Sequence, residues 1–174
     1  AVIALFVLMV AWQERGQWRT LVAGLAISAL AAMVVIAPVV KYALAKPENY
    51  FSRVQATSLF ADKTPEQRLP ALWENSRKHL LMFNVRGDPN GRHNLPGEPM
   101  LDWVSGGLLV VGLAICLRRG TSPRYLIVPV WIVVGLLGGI LSLDFEAPQS
   151  LRAIGALPAV LLCAAIGAPR SSHR

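Results

Sequence analysis

The sequence contains little charge and few of the residues that build metal or nucleotide sites. Charged residues make up 16% of its 174 positions, while hydrophobic residues make up 54%, and the mean hydropathy is +0.48. A soluble domain of this size needs more polar surface, so this composition predicts an integral membrane protein. The two cysteines, Cys116 and Cys163, lie inside apolar runs. This position predicts small buried side chains and neither a disulfide nor a metal site.

Other absences argue against whole classes of site. The three histidines, His79, His93 and His173, are far apart and lack the spacing of metal ligands. No Walker-type or GxGxxG loop occurs, so no nucleotide site is predicted. The apolar runs carry no charge at their centres, whereas ion channels and proton-coupled transporters usually need ionisable residues within the membrane.

The apolar residues are clustered in runs that are long enough to cross a membrane. Thr20 to Val40 and Tyr125 to Leu143 contain no charged residue. About 20 helical residues, at about 1.5 Å each, cross a hydrocarbon core of roughly 30 Å. The sequence therefore predicts an all-α fold, a polytopic transmembrane helix bundle of about five spans. These spans are 1–12, 19–42, 101–117, 125–143 and 151–169.

The first of these spans is expected to be truncated. Residues 1–12 have no initiator methionine and no signal-peptide pattern. We therefore expect residues 1–174 to form a single membrane domain that is a fragment of a larger protein. Within the run at 125–143, Gly135, Gly138 and Gly139 predict close packing between helices.

The formal net charge of +7 follows from the predicted membrane topology and needs no nucleic-acid partner. The short connections and the tail hold seven basic residues and one acid: Arg15, Arg19, Arg118, Arg119, Arg124, Arg170, Arg174 and Glu14. Short loops rich in arginine face the cytoplasm. The long segment 43–100 is therefore predicted to be extracytoplasmic.

The extracytoplasmic segment contains an amphipathic helix. Thr64 is predicted as its N-cap, Pro65 as its first residue and Gln67 as the partner in a capping box. An apolar stripe follows at spacings of three and four, and it comprises Leu69, Leu72, Trp73, Ser76, Leu80 and Phe83. Arg68, Arg77 and Lys78 form a basic flank. Such a helix either rests in the headgroup region of the bilayer or packs on neighbouring protein.

The stretch "RGDPNGRHNLPGEPMLDW", Arg86 to Trp103, is the polar turn of this protein. Its three glycines, at 87, 91 and 97, permit positive φ, while prolines at 89, 96 and 99 prevent a continuous helix. The pattern predicts a rigid, non-helical turn immediately before the span at 101–117.

Two interpretations of the polar turn are open. It is either a connector whose polar groups bind one another and water, or the rim of a site for an anionic, lipid-attached substrate. The arginine and histidine donors suit a phosphate group. A second polar element, "DFEAPQSLR", ends at Arg152, which either reaches a lipid phosphate or anchors the helix at the interface. The candidate substrate-binding residues are Arg86, Asp88, Arg92, His93, Asn94 and Arg152.

Three stretches carry a resemblance to a known family. They are "KPENYFSRVQATSLF" (46–60), "HLLMFNVRGDPNGRHNLPGEPMLD" (79–102) and "APQSLRAIGALPA" (147–159). Together they resemble the C-terminal half of bacterial membrane glycosyltransferases of the GT-C superfamily, in the group similar to family 39 protein mannosyltransferases and aminoarabinose transferases. The spans match this family only in being apolar.

The resemblance implies a multi-pass enzyme of the bacterial plasma (inner) membrane. Such an enzyme moves a sugar from a polyprenyl-phosphate donor to an acceptor on the outer face, by an inverting reaction without a cofactor. In the family the catalytic carboxylate lies in the first outward loop, to which nothing here corresponds, so the catalytic residues are unknown. The resemblance does not indicate which sugar or acceptor is used, or the oligomeric state.

A non-enzymatic function is the alternative. A membrane transporter or an assembly subunit for cell-envelope polymers would share the predicted topology. It could use the same basic rim to hold a lipid-linked glycan. In either case the predicted partners are the lipid bilayer and a polyprenyl-phosphate-linked molecule.

Overall fold

The computed structural model describes residues 18–93 and 95–169, and within them the chain is helical with no β-strand. The α-helices are α1 (Trp18–Ala45), α2 (Pro47–Thr57), α3 (Pro65–Leu81), α4 (Trp103–Arg118), α5 (Pro123–Ile140), α6 (Ser150–Ala153) and α7 (Leu157–Gly167). Short 3₁₀ turns at Asp144–Glu146 and Ile154–Ala156 complete the connections. The predicted all-α class is confirmed.

Three helical segments are long and apolar enough to cross a membrane: Val22–Ala45, Pro123–Ile140 and Ser150–Gly167. The last combines α6, the 3₁₀ turn and α7. Helix α4 is apolar but has 16 residues, which span about 24 Å at about 1.5 Å per residue. The predicted span 1–12 lies outside the described residues. The structure therefore has three membrane-length helices in its described part, and the prediction of about five spans is not confirmed.

Helices α4, α5 and α7 form a bundle with closely approaching backbones. A Cβ atom at Gly112 of α4 would clash with the backbone carbonyl of Cys163, and one at Gly135 would lie 2.6 Å from the amide nitrogen of Ala156. Both cysteines are fully buried, in agreement with their predicted role as small core residues. Small residues at these contacts therefore let the helices pack without intervening side chains.

Local sequence signals explain where α4 and α5 begin. The Asp102 carboxylate accepts hydrogen bonds from the Val104 and Ser105 amides at 2.9 and 3.0 Å, which caps α4. Pro123 lies in the first turn of α5, where a missing N–H has no cost.

The bundle has two ends. We call the end with Asp102 and Ile140 the polar-turn end, and the end with Arg118 and Pro123 the arginine end.

The capping prediction for α3 is confirmed. The helix begins at Pro65 with Thr64 as its N-cap. The Thr64 amide donates to Gln67 Oε1 at 3.2 Å, and the Gln67 amide donates to the Thr64 carbonyl at 2.9 Å. The start of α3 is therefore determined by hydrogen bonds between Thr64 and Gln67, three residues apart.

Most of the apolar stripe of α3 does not pack on the bundle. Leu69, Trp73 and Leu80 of the predicted apolar stripe are exposed, at 78%, 72% and 57%, whereas Asn75 and His79, on the flank of the stripe next to Leu72, are fully buried. Helix α3 therefore presents this polar flank to the bundle. Only Leu72 and Phe83 of the stripe join the core. Among the described residues, nothing covers the exposed part of the stripe.

Candidate functional site

The polar turn is closed by backbone hydrogen bonds between its two ends. The Met100 and Leu101 amides donate to the Met82 and Phe83 carbonyls, each at 3.0 Å, and the Gly87 amide donates to Gly97 at 3.2 Å. Of the described glycines, Gly97 alone has a positive φ, at 76°. The predicted non-helical turn is confirmed. Of its three glycines, only Gly97 adopts the positive φ that other residues rarely adopt.

Asp88 links the polar turn to the start of α6. Its side chain is 1% exposed. One carboxylate oxygen accepts from the Ser150 amide and hydroxyl, both at 2.8 Å, and from His93 Nδ1 at 3.2 Å. The other accepts from the Asn90 amide at 2.8 Å. Asp88 therefore joins segments 62 residues apart in the sequence.

The ionisation of Asp88 follows from these contacts. Burial alone raises the pKa of the carboxyl, but the hydrogen bonds from Asn90, Ser150 and His93 outweigh it, so the pKa lies below its ordinary value. The carboxylate is thus charged, buried and occupied by donors. These contacts give it a structural role and leave it unsuited to bind an anionic substrate.

A second buried group ties α3 to the ends of α5 and α6. Asn75 Nδ2 donates to the Ile140 and Ser142 carbonyls at 3.0 and 2.9 Å. His79 Nε2 accepts from the Gln149 amide at 3.2 Å, so Nδ1 carries the proton and donates to the Asn75 carbonyl at 2.8 Å. This arrangement explains why α3 buries the flank that carries Asn75 and His79. These two side chains bind backbone groups that the neighbouring segments leave unpaired.

The buried imidazole makes stability depend on pH. Burial lowers the pKa of His79 from 6.5, because the charged form is poorly solvated. The unfolded chain therefore binds a proton that the folded chain resists, and stability is lost as the pH falls below about 6.5. We expect a lower melting temperature at about pH 5.5 than at about pH 7.5. In His79→Gln the difference should shrink, and an unchanged difference would contradict the assignment.

Arg152 binds the segment that follows α5, outside the polar turn. Its guanidinium NH1 donates to the Ser142 hydroxyl, and that hydroxyl donates to the Thr57 carbonyl at 3.4 Å. Near it, Lys63 Nζ pairs with Asp144 Oδ2 at 2.7 Å. Arg152 therefore ties α6 to the segment that follows α5, and the Ser142 hydroxyl ties that segment to the end of α2.

A basic cleft of about 450 Å³ opens at the polar-turn end, between α3, the polar turn and the segment after α5. We define it by its lining: Glu74, Arg77, Lys78, Leu81, Val85, Arg86, Gly87, Pro89, Ala147 and Pro148. Three cations and one carboxylate give this lining a net charge of +2. Leu81 and Val85 add an apolar wall. A cleft with these properties suits an anion attached to an apolar chain.

The single carboxylate of the cleft is paired. Arg77 Nε and NH2 donate to the two carboxylate oxygens of Glu74 at 3.1 and 3.0 Å. This hydrogen bonding lowers the pKa of Glu74 and raises that of Arg77. No ion pair of Lys78 or Arg86 occurs among the described residues. These two cations are the groups that the cleft offers to an anion.

The described members of the predicted substrate-binding set do not meet at one site. Arg86 lines the basic cleft. Asp88 and His93 pair with each other, Arg152 bonds to Ser142, and Asn94 lies outside the described residues. The Arg92 side chain is exposed and does not line the cleft. A shared substrate site for these residues stays a prediction, and the described geometry places only Arg86 in a cleft.

Two cleft residues were not among the predicted site residues. Arg77 and Lys78 were placed only on a basic flank of α3. No local pattern places this flank beside Arg86, because the orientation of α3 depends on partners at Ile140, Ser142 and Gln149.

The fold and the site together define a class: over residues 18–93 and 95–169 the chain is all-helical, with three helices of membrane-crossing length and a basic cleft beside one bundle end. This architecture is compatible with a membrane protein. Comparison of the chain with family models, curated proteins and solved structures finds no match. The resemblance to membrane glycosyltransferases therefore stays a prediction from the sequence.

Proposed function

We propose that this chain is part of a bacterial membrane glycosyltransferase that uses a polyprenyl-phosphate sugar donor at the outer face of the plasma membrane. In this proposal the basic cleft holds the phosphate of the donor. The observation that carries it is the combination of Lys78 and Arg86 with the apolar wall of Leu81 and Val85 in one cleft. A polyprenyl phosphate presents the same combination, a charged head on an apolar chain.

The cations of the cleft have a defined chemical task. An arginine guanidinium binds phosphate oxygens through two parallel N–H donors, and a lysine acts as a compact positive charge. When a sugar leaves a polyprenyl phosphate, negative charge builds up on the phosphate that remains. Fixed cations stabilise that charge more in the transition state than in the ground state. Arg86 and Lys78 would therefore assist both donor binding and departure of the phosphate.

The cleft supplies no general base. Glu74 is held by Arg77, and Asp88 is buried beneath its donors. Neither is placed to take a proton from an acceptor, because a base needs an accessible lone pair within hydrogen-bond reach. The described residues thus support donor binding, and the catalytic base is assigned to none of them.

Replacement of Arg86 tests the binding part of the proposal. Arg86→Gln should weaken binding of a short-chain polyprenyl monophosphate about tenfold or more, because a charge-assisted hydrogen bond contributes about 1.5–3 kcal/mol. Titration calorimetry on the purified protein in detergent measures the dissociation constant. Arg92→Gln is the matched control, since Arg92 is an exposed arginine of the same turn outside the cleft. Equal losses in both variants would contradict a cleft-specific site.

A transfer assay separates the enzyme from its alternative. Membranes that carry the whole transferase of which this chain is proposed to be part are supplied with a polyprenyl-phosphate sugar, and released polyprenyl phosphate is measured. A transferase releases it when an acceptor is present, and Arg86→Gln slows this release. A transporter or assembly subunit for envelope polymers would bind the same molecule through the same cleft without releasing it. Binding without turnover would therefore favour that alternative.

A further inference from the structure

A second basic pocket lies at the opposite end of the bundle. It has a volume of about 490 Å³ and is lined by Ile115, Arg118, Arg119, Tyr125, Ile166 and Ala168. The last turn of α4, the first turn of α5 and the end of α7 all contribute to it. Its walls therefore come from three helices that meet at the arginine end.

The charge around this pocket is of one sign. Residues 103–143 contain Arg118, Arg119 and Arg124 and no acidic residue. The ion pairs among the described residues all lie near the polar-turn end and involve none of these arginines. Excess positive charge beside apolar helices attracts anionic lipid headgroups.

Tyr125 orients the Arg119 guanidinium in this pocket. Arg119 NH1 donates to the Tyr125 hydroxyl at 2.8 Å, and its guanidinium carbon lies 5.2 Å from the centre of the Tyr125 ring. This contact fixes one face of the Arg119 guanidinium on α5. Its remaining N–H groups, together with Arg118, are donors suited to the oxygens of a phosphate.

The apolar part of the pocket continues toward the centre of the bundle. Ile115 lies one turn before Arg118 on α4, and Ile166 lies at the end of α7. A charged rim above an apolar wall matches a phospholipid, whose phosphate sits at the membrane surface while its acyl chains run into the hydrocarbon core.

We propose that the arginine-end pocket is a binding site for an anionic glycerophospholipid, with its phosphate on Arg118 and Arg119 and an acyl chain against Ile115 and Ile166. The arginine distribution predicts that this end faces the cytoplasm, where basic pockets between membrane helices bind anionic headgroups. The site is separate from the basic cleft, so it stands or falls independently of donor binding.

Lipid retention tests this site. The full chain is placed in nanodiscs of phosphatidylcholine with a minor fraction of phosphatidylglycerol, and native mass spectrometry measures the phosphatidylglycerol retained after release. Arg118→Gln should lower retention about tenfold and the Arg118→Gln/Arg119→Gln double variant about 100-fold, because each substitution removes charge-assisted hydrogen bonds to the lipid phosphate. Arg124→Gln is the matched control because Arg124 is exposed at the same end and does not line the pocket.

Each outcome decides the proposal. A loss confined to Arg118 and Arg119 supports it, whereas an equal loss in Arg124→Gln would show general surface attraction and overturn it. Addition of inorganic phosphate or glycerol 3-phosphate distinguishes a free anion from a lipid. Displacement of the lipid by either at millimolar concentration would overturn the assignment to a lipid. If a substitution at 119 disturbs folding, as a lowered melting temperature would reveal, Arg118→Gln alone carries the test.

Discussion

Gly112→Ala is expected to destabilise the bundle by about 3 kcal/mol, a cost at the upper end of overpacking in a closely packed interior. The new Cβ atom would clash with the Cys163 carbonyl and would lie 3.2 Å from the Gly167 amide nitrogen. These are backbone atoms of α7, so no side-chain rotation relieves the contact. Helices α4 and α7 would have to move apart, and the buried residues between them would lose contact.

Gly107→Ala is the matched control for this substitution. Gly107 lies on the same helix, five residues earlier, and a Cβ there has nothing within 4 Å. Alanine is a better helix former than glycine by about 1 kcal/mol, so Gly107→Ala should be neutral or slightly stabilising. Unfolding in mixed detergent micelles, followed by circular dichroism, gives both free energies. Equal effects at 107 and 112 would contradict the close approach of α4 and α7.

Local signals in the sequence predicted some elements correctly. Thr64, Pro65 and Gln67 determine the start of α3 through contacts within four residues, so no knowledge of the remaining chain was needed. The prolines and glycines of the polar turn likewise exclude a helix through their own backbone restrictions. Elements whose cause lies within a few residues are the ones that a single sequence can predict.

The orientation of α3 could not be predicted in the same way. The apolar stripe with Leu69 and Trp73 left two placements open, in the headgroup region or against protein, and the helix is oriented by Asn75 and His79. Their partners lie between 65 and 70 residues further along the chain, at Ile140, Ser142 and Gln149. Backbone groups left unpaired at the ends of α5 and α6 need donors and acceptors. A hydropathy pattern does not show that distant backbone groups lack hydrogen-bond partners.

The candidate site shows the same limit. Arg86, Arg92, Asp88 and His93 are close in sequence, and their types suggested one anion site. In the structure Asp88 turns inward to Ser150 and holds His93, while Arg86 points to a cleft with residues of α3. A carboxylate can be a substrate ligand or a structural acceptor, and only its distant partners decide which. The sequence therefore indicated the region of the candidate cleft and one of its cations, Arg86, but not the residues of α3 that line it.

Asp88→Ala is the second substitution with a large expected effect. It removes the acceptor for the buried Ser150 amide and hydroxyl and for the Asn90 amide. A buried donor left without a partner costs about 1–3 kcal/mol, so the loss should be about 3 kcal/mol or more. The polar turn would also lose its bond to α6, and proteolysis within residues 86–93 should become faster.

Asp102→Ala isolates the role of burial in that effect. Asp102 also accepts from two backbone amides and a serine hydroxyl, at 2.9, 3.0 and 2.7 Å, but it is exposed at the start of α4. Water replaces its hydrogen bonds, so the loss should be about 1 kcal/mol, as for other helix caps. Equal losses at 88 and 102 would show that Asp88 is accessible to water. In that case the polar turn would be open enough to bind ligand through its carboxylate, and its structural role would have to be abandoned.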